Sequence, residues 1–201
     1  PIPRRQRQMC IRDRFISSLP FQITTAQKHV IEEISEDQKS SSRMLRLLQG
    51  DVGSGKTLVA LIALLRAVTS GKQAALLAPT ELLSKQHFQN ISQLLKCLDI
   101  QPALLIGSMS QKQKKEVHEG LKSGKILLVI GTHALLTQEI EFINLGLAVV
   151  DEQHRFGVKQ RLVLGEKNGG CDVLIMTATP IPRTLATVSY THLRAHETPC
   201  H

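Results

Sequence analysis

The chain has 201 residues and a mass of 22.3 kDa, enough for one well-packed domain or a crowded two. Hydrophobic residues make up 42% and charged residues 21%, which excludes bulk disorder, and no run of 18 apolar residues exists, so no membrane partner is expected. The formal charge of +8 suggests a polyanionic partner, but residues 1–14 alone hold five Arg and one Asp, so half of the excess lies in one short segment and charge is weak evidence for nucleic acid.

Residues 1–14 have neither a helical nor a strand period. Their basic start lacks the apolar stretch of a secretory signal. Thr24 to Asp37 reads as a helix, capped by Thr24 or Thr25, with Val30, Ile31 and Ile34 as its apolar stripe. Ser35–Arg43 is polar and Ser-rich and reads as a loop. Six short apolar runs follow: Leu45–Leu48, Ala74–Ala78, Ala103–Ile106, Ile126–Ile130, Leu147–Val150 and Val173–Met176. Runs of this kind suggest strands buried on both faces. Longer amphipathic segments lie between them, at Lys56–Val68, Glu81–Leu98, Gln111–Lys122 and, shorter, near Val158–Leu164. Strands alternating with helices predict an α/β fold, a parallel sheet with helices on both faces and ligands at the carboxyl ends of the strands.

Residues 188–201 are polar and hold three of the eight His. His192 and His196 are four apart, yet no third ligand has a defined spacing, so no metal site is expected there. The four cysteines form no C-x-x-C pair and read as reduced thiols. Both end segments resemble translated adapter or assembly sequence more than evolved protein. The organisation expected is one domain over 15–187, with residues 1–14 and 188–201 unassigned.

Gly50-Asp51-Val52-Gly53-Ser54-Gly55-Lys56-Thr57 fits G-x-x-x-x-G-K-[ST], after an apolar run and before a helix, the context that this phosphate loop requires. Gly50, Gly53 and Gly55 let backbone N–H groups turn inward around phosphate oxygens, and the helix adds its positive end. Lys56 would reach the β- and γ-phosphates and Thr57 would hold Mg²⁺. The run Leu147–Val150 ends in Asp151 and Glu152. One acid would hold the Mg²⁺ shell (Asp151) and one would polarise the attacking water (Glu152). The sequence has no [NT]-K-x-D segment for guanine and no L-S-G-G-Q of transporter ATPases.

Asp151-Glu152-Gln153-His154 resembles motif II of superfamily 2 helicases and translocases. Leu19–Gln27 resembles the segment upstream of their phosphate loop, Ala78-Pro79-Thr80-Glu81-Leu82 motif Ia, Gly131-Thr132-His133 motif Ib and Thr177-Ala178-Thr179-Pro180 motif III. The wording at Asp151–Val158 and Thr177–Leu185 is similar to the RecG family of ATP-dependent DNA helicases. The transcription-repair coupling factors share part of it but typically carry Tyr where this chain has Ser54 and Glu where it has Gln153. The resemblance covers about Phe15 to Thr187. It implies a RecA-like P-loop NTPase domain using ATP and Mg²⁺, with branched duplex DNA as partner and the bacterial cytoplasm or an organelle as location. It also implies that Gln27 reads adenine, that Thr80 and Thr132 touch the DNA backbone, and that His154, Thr177 and Thr179 couple the nucleotide state to DNA. No role is assigned to Arg183.

The motifs are those of a first motor lobe. A second RecA-like domain, with its arginine finger, and a wedge domain are expected to be missing, so the chain alone is expected to bind ATP with little turnover. Aromatics are only 3%, which fits a motor that tracks duplex phosphates or one whose DNA grip lies elsewhere. Three readings stay open: a RecG-like motor domain, the motor of a coupling translocase, and a non-catalytic fragment that binds nucleotide or DNA.

Overall fold

A computed structural model describes residues 11, 13–40, 42–137, 139–151, 170–178 and 189–193. The first labelled helix, α1 (Thr25–Asp37), starts where the sequence places a cap. The Thr24 side chain accepts from the Gln27 N–H, and the Gln27 side chain accepts from the Thr24 N–H, a reciprocal capping box. The helix runs through Ser35, which is buried, so the Ser-rich loop begins later than composition suggests. Burial against the core outweighs the weak helix preference of serine.

All six predicted strands are present: β1 (Leu45–Gly50), β2 (Gln73–Leu77), β3 (Ala103–Leu105), β4 (Leu128–Gly131), β5 (Leu145–Asp151) and β6 (Asp172–Thr177). A seventh, β7 (Ser189–Leu193), lies within the polar tail and pairs with β1. The order is β3-β4-β2-β5-β6-β1-β7, and every pairing is parallel. Between the strands run α2 (Lys56–Thr69), α3 (Glu81–Leu94) and α4 (Gln111–Lys122). The segment predicted to be one helix to Leu98 tightens into a 3₁₀ turn at Leu95–Cys97. The short helix predicted near Val158–Leu164 lies outside the described residues.

The strand period of two divides the core. Ala74 and Leu76 of β2, Leu147 and Val149 of β5, and Leu174 and Met176 of β6 face one cluster, with Phe15 and the apolar sides of α1, α2 and α3. Ala75, Leu77, Ala148, Val150, Val173 and Ile175 face the other, with Leu121 of α4. Ten residues of α2 are buried, so this helix lies deep against the sheet, and each large apolar side chain so buried contributes roughly 1.5–3 kcal/mol. Two polar ties fix the register of neighbouring elements. Arg46 of β1, nearly buried, pairs with Glu33 at 2.6 Å and Asp37 at 2.7 Å on α1. Gln73, also buried, donates to the carbonyls of Leu121 and Ile126 and accepts from the Asn144 N–H. Because the sheet is parallel, the ends of β1 to β6 open onto one edge. That edge carries the sequence motifs.

Candidate functional site

The phosphate loop joins β1 to α2. Gly55, the N-cap of α2, has φ 80°, and Gly53 has φ 84°, a left-handed backbone that glycine adopts freely. Gly55 has a second reason to lack a side chain: a Cβ there would lie 2.2 Å from the Gln27 amide nitrogen. That nitrogen donates to the Ser54 carbonyl at 3.0 Å, so Gln27 clamps the loop while capping its own helix. A primary amide has two N–H donors and two acceptor lone pairs. One of each is engaged here, and among the described residues the other of each is left for a ligand edge. The segment leading into α1 lines a cavity of about 380 Å³ with Ile16, Leu19, Pro20, Phe21 and Ile23; Phe21 is half exposed.

The Lys56 ammonium donates to the carbonyls of Gly50 at 2.6 Å and Asp51 at 2.8 Å, holding its charge over the loop. The first turn of α2 contains no acid, so no carboxylate within that turn offsets the positive end of the helix. The Ser54 hydroxyl is buried without a hydrogen-bond partner among the described residues. An ammonium folded onto carbonyls, an unopposed helix end and an orphaned hydroxyl suit an anionic phosphate chain. Thr57, half buried, follows in the first turn.

Asp151 closes β5, with β6 between it and β1. The register sets Asp151 beside Met176, and Thr177 beside Gln49 at the mouth of the phosphate loop. Thr177 is buried. Lys56, Thr57, Asp151 and Thr177 therefore gather at one end of three adjacent strands. Glu152, His154, Thr179 and Arg183 lie outside the described residues. Sequence reasoning missed one partner of this group: Nε2 of His87, on α3, is 2.7 Å from Oδ2 of Asp151, with the two side chains 12% and 14% exposed. The available signal was a histidine on the buried side of α3, between Ser84 and Ile91.

The other half of the edge holds motifs Ia and Ib. Thr80 is the N-cap of α3, and its hydroxyl accepts from the Leu83 N–H at 3.2 Å. Thr132 is buried and caps the 3₁₀ turn His133–Leu136 through the Ala134 N–H. Each hydroxyl accepts in these bonds. Gly131 lets β3 close on β4, since a Cβ there would lie 2.1 Å from the Leu105 carbonyl oxygen. After β3, the Ser108 N–H donates to Glu81 at 3.0 Å, and hydrogen bonding from the Ser108 hydroxyl, with a smaller share from that N–H, holds the Glu81 carboxyl below the usual range. Ser110 caps α4 with a second capping box, to Gln113. Three capped N-termini thus stand in a row along β3, β4 and β2.

The family profile of DEAD/DEAH box helicases matches residues 24–188. The chain belongs to the DEAD/DEAH box helicase family. It is 55% identical over 173 residues to the ATP-dependent DNA helicase RecG of Bacillus subtilis, covering 86% of this chain and 25% of that protein. It is 49% identical over 190 residues to RecG of Haemophilus influenzae, covering 92% and 27%. Among solved structures, RecG bound to a three-way DNA junction superposes with a TM-score of 0.81 at 39% identity, over 98% of this chain and 28% of that one. The DEAD-box helicase Mss116 bound to ssRNA and UDP-BeF superposes at 0.70 with 16% identity, over 92% and 43%, a likeness of fold alone. The chain spans about a quarter of the length of the curated relatives it matches. Helicases of this family use ATP, in general with Mg²⁺, and the fold is the RecA-like helicase fold. Among the described residues no helix is long and apolar enough to cross a membrane, and no group of three or more His, Cys, Asp and Glu could hold a metal by itself. A magnesium ion bound by Thr57 and Asp151 would depend on nucleotide oxygens and water for the rest of its shell.

Proposed function

We propose that this chain is the first motor domain of a RecG-like ATP-dependent DNA helicase, whose whole protein remodels branched DNA by fork reversal and branch migration. One observation carries the reading: the phosphate loop, Asp151, Thr177 and the capped turns at Thr80 and Thr132 share one edge of a single parallel sheet. The identity of about half to RecG helicases supports RecG over its relatives.

In this reading Lys56 and the N–H groups of the loop hold the β- and γ-phosphates, Thr57 and Asp151 hold Mg²⁺, and Gln27 reads the adenine edge. Glu152 orients the attacking water. The metal neutralises charge between the phosphates. Thr80 and Thr132 offer their hydroxyl protons to DNA phosphates, contacts that set register without reading bases. His154, Thr177 and Thr179 pass the nucleotide state toward a second lobe. The domain spans residues 15–187 by its motifs, with β7 (Ser189–Leu193) added at the edge of its sheet, and works in the bacterial cytoplasm or an organelle. Two-lobed motors complete their site with an arginine from the second lobe, worth about 10³–10⁵ in rate in related NTPases. The motifs here are those of the first lobe, so the chain by itself binds MgATP and turns it over slowly, without unwinding.

The test is ATP turnover by the purified chain, with and without forked DNA, beside Lys56→Ala. Slow turnover that forked DNA does not raise agrees with the reading. Strand separation of the fork by this chain, or rapid turnover that Lys56→Ala leaves intact, would overturn it.

A further inference from the structure

Among the described residues one side chain meets the Asp151 carboxylate, and it comes from the half of the edge proposed to face DNA. His87 sits on α3, 64 positions from Asp151 in sequence, and the two side chains meet at 2.7 Å, both largely shielded from water. An exposed pair of this kind contributes little, because water competes for both groups. A shielded one is stronger and more directional. A carboxylate can only accept, so Nε2–H of His87 donates to Oδ2. This bond fixes the rotation of the carboxylate and leaves Oδ1 for another ligand. Carboxylates that bind metals are commonly oriented by such a partner, and losing it typically costs 10–100-fold in metal affinity or activity.

We propose that His87 is a positioning residue for the metal site: it holds the Asp151 carboxylate in the orientation that receives Mg²⁺ with nucleotide. This rests on the reading of Asp151 as the metal carboxylate given above. The placement of His87 adds a consequence. α3 begins directly after Thr80, and seven residues of helix, about 10 Å, separate that cap from His87. One rigid rod therefore carries both the DNA-facing cap and the hydrogen bond that orients the metal carboxylate.

The test uses the chain as it is and a fluorescent ATP analogue, titrated with Mg²⁺ and, separately, in EDTA. Thermal midpoints are taken alongside, and the variants are His87→Ala, His87→Gln and Lys56→Ala. The expected result has three parts. His87→Ala raises the Mg²⁺ concentration for half-maximal metal-dependent binding by about tenfold or more. It leaves metal-free binding and the thermal midpoint near those of the unmodified chain. His87→Gln, whose amide N–H reaches a similar distance, recovers most of the loss. The inference is overturned if His87→Ala has the same Mg²⁺ dependence as the unmodified chain. It is overturned equally if metal-free binding falls in step with metal-dependent binding, or if His87→Gln is no better than His87→Ala. If the unmodified chain does not bind the analogue, or Lys56→Ala binds it equally well, the nucleotide reading fails and this inference fails with it.

Discussion

The two halves of the sheet edge are built differently. At the phosphate loop, between β1 and α2, the backbone is held open: two glycines adopt left-handed angles, the Ser54 hydroxyl has no partner among the described residues, and Lys56 rests on carbonyls. At the turns after β2, β3 and β4 the polar groups are closed on themselves: Thr80, Ser110 and Thr132 each cap their own helix or turn, and Glu81 bonds the Ser108 N–H. An open loop is shaped for a ligand that it surrounds. Closed caps present a firm surface to a ligand that slides past. The phosphate-loop half therefore depends on single residues, whereas the half proposed above to meet DNA would spread its contacts over several.

The largest expected effect breaks the nucleotide half. Lys56→Ala removes the charged donor and should weaken MgATP binding by roughly 100-fold, read by equilibrium titration, with the thermal midpoint almost unchanged. Gly55→Ala should follow. A left-handed alanine costs about 1–2 kcal/mol, and its Cβ displaces the Gln27 amide; both nucleotide affinity and thermal midpoint should fall. Thr80→Ala acts on the other half. Loss of the cap should cost about 1 kcal/mol of stability in chemical denaturation, with nucleotide affinity unchanged and only a modest fall in DNA affinity, and Thr80→Ser should restore both. A fall in nucleotide affinity as large as that of Lys56→Ala would blur the division.

Smaller effects sharpen it. Hydrogen bonding from the Ser108 hydroxyl and, to a smaller extent, its N–H holds the Glu81 carboxyl below the usual carboxylate range. A depressed value in the fold means that the bond is present above the ordinary carboxylate range and is lost as pH falls through the lowered value. The Ser108 amide signal should thus stay constant from neutral pH to below the point where free glutamates titrate. Burial pushes the Cys171 thiol up to about 12, whereas Cys97 is exposed. A thiol reagent at pH 8 should label Cys97 at once and Cys171 only after unfolding, as mapped by peptide mass.

Much of this was legible in the sequence where a local signal and a tertiary demand agree. The six predicted strands appear because buried parallel strands read as unbroken apolar runs. The predicted bounds of α4 match because its amphipathic run coincides with the helix, which Ser110 and Gln113 cap with a reciprocal box. The strand Ser189–Leu193 was not legible: it lies beyond the last apolar run, and its Ser, Tyr, Thr and His carry no buried-strand pattern. Thr80 is expected from the sequence as a DNA contact, and in the fold its hydroxyl caps α3. His87 was hidden because its meaning lies in a contact 64 positions away. Only the fold, which brings His87 of α3 to the last residue of β5, supplies that contact.

The central claim, that this edge forms a nucleotide site around Lys56, is tested most directly by titrating a fluorescent ATP analogue with Mg²⁺ into the chain and its Lys56→Ala variant. The account predicts saturable binding to the chain and binding roughly 100-fold weaker to the variant. Equal binding to both, or none to either, would contradict it.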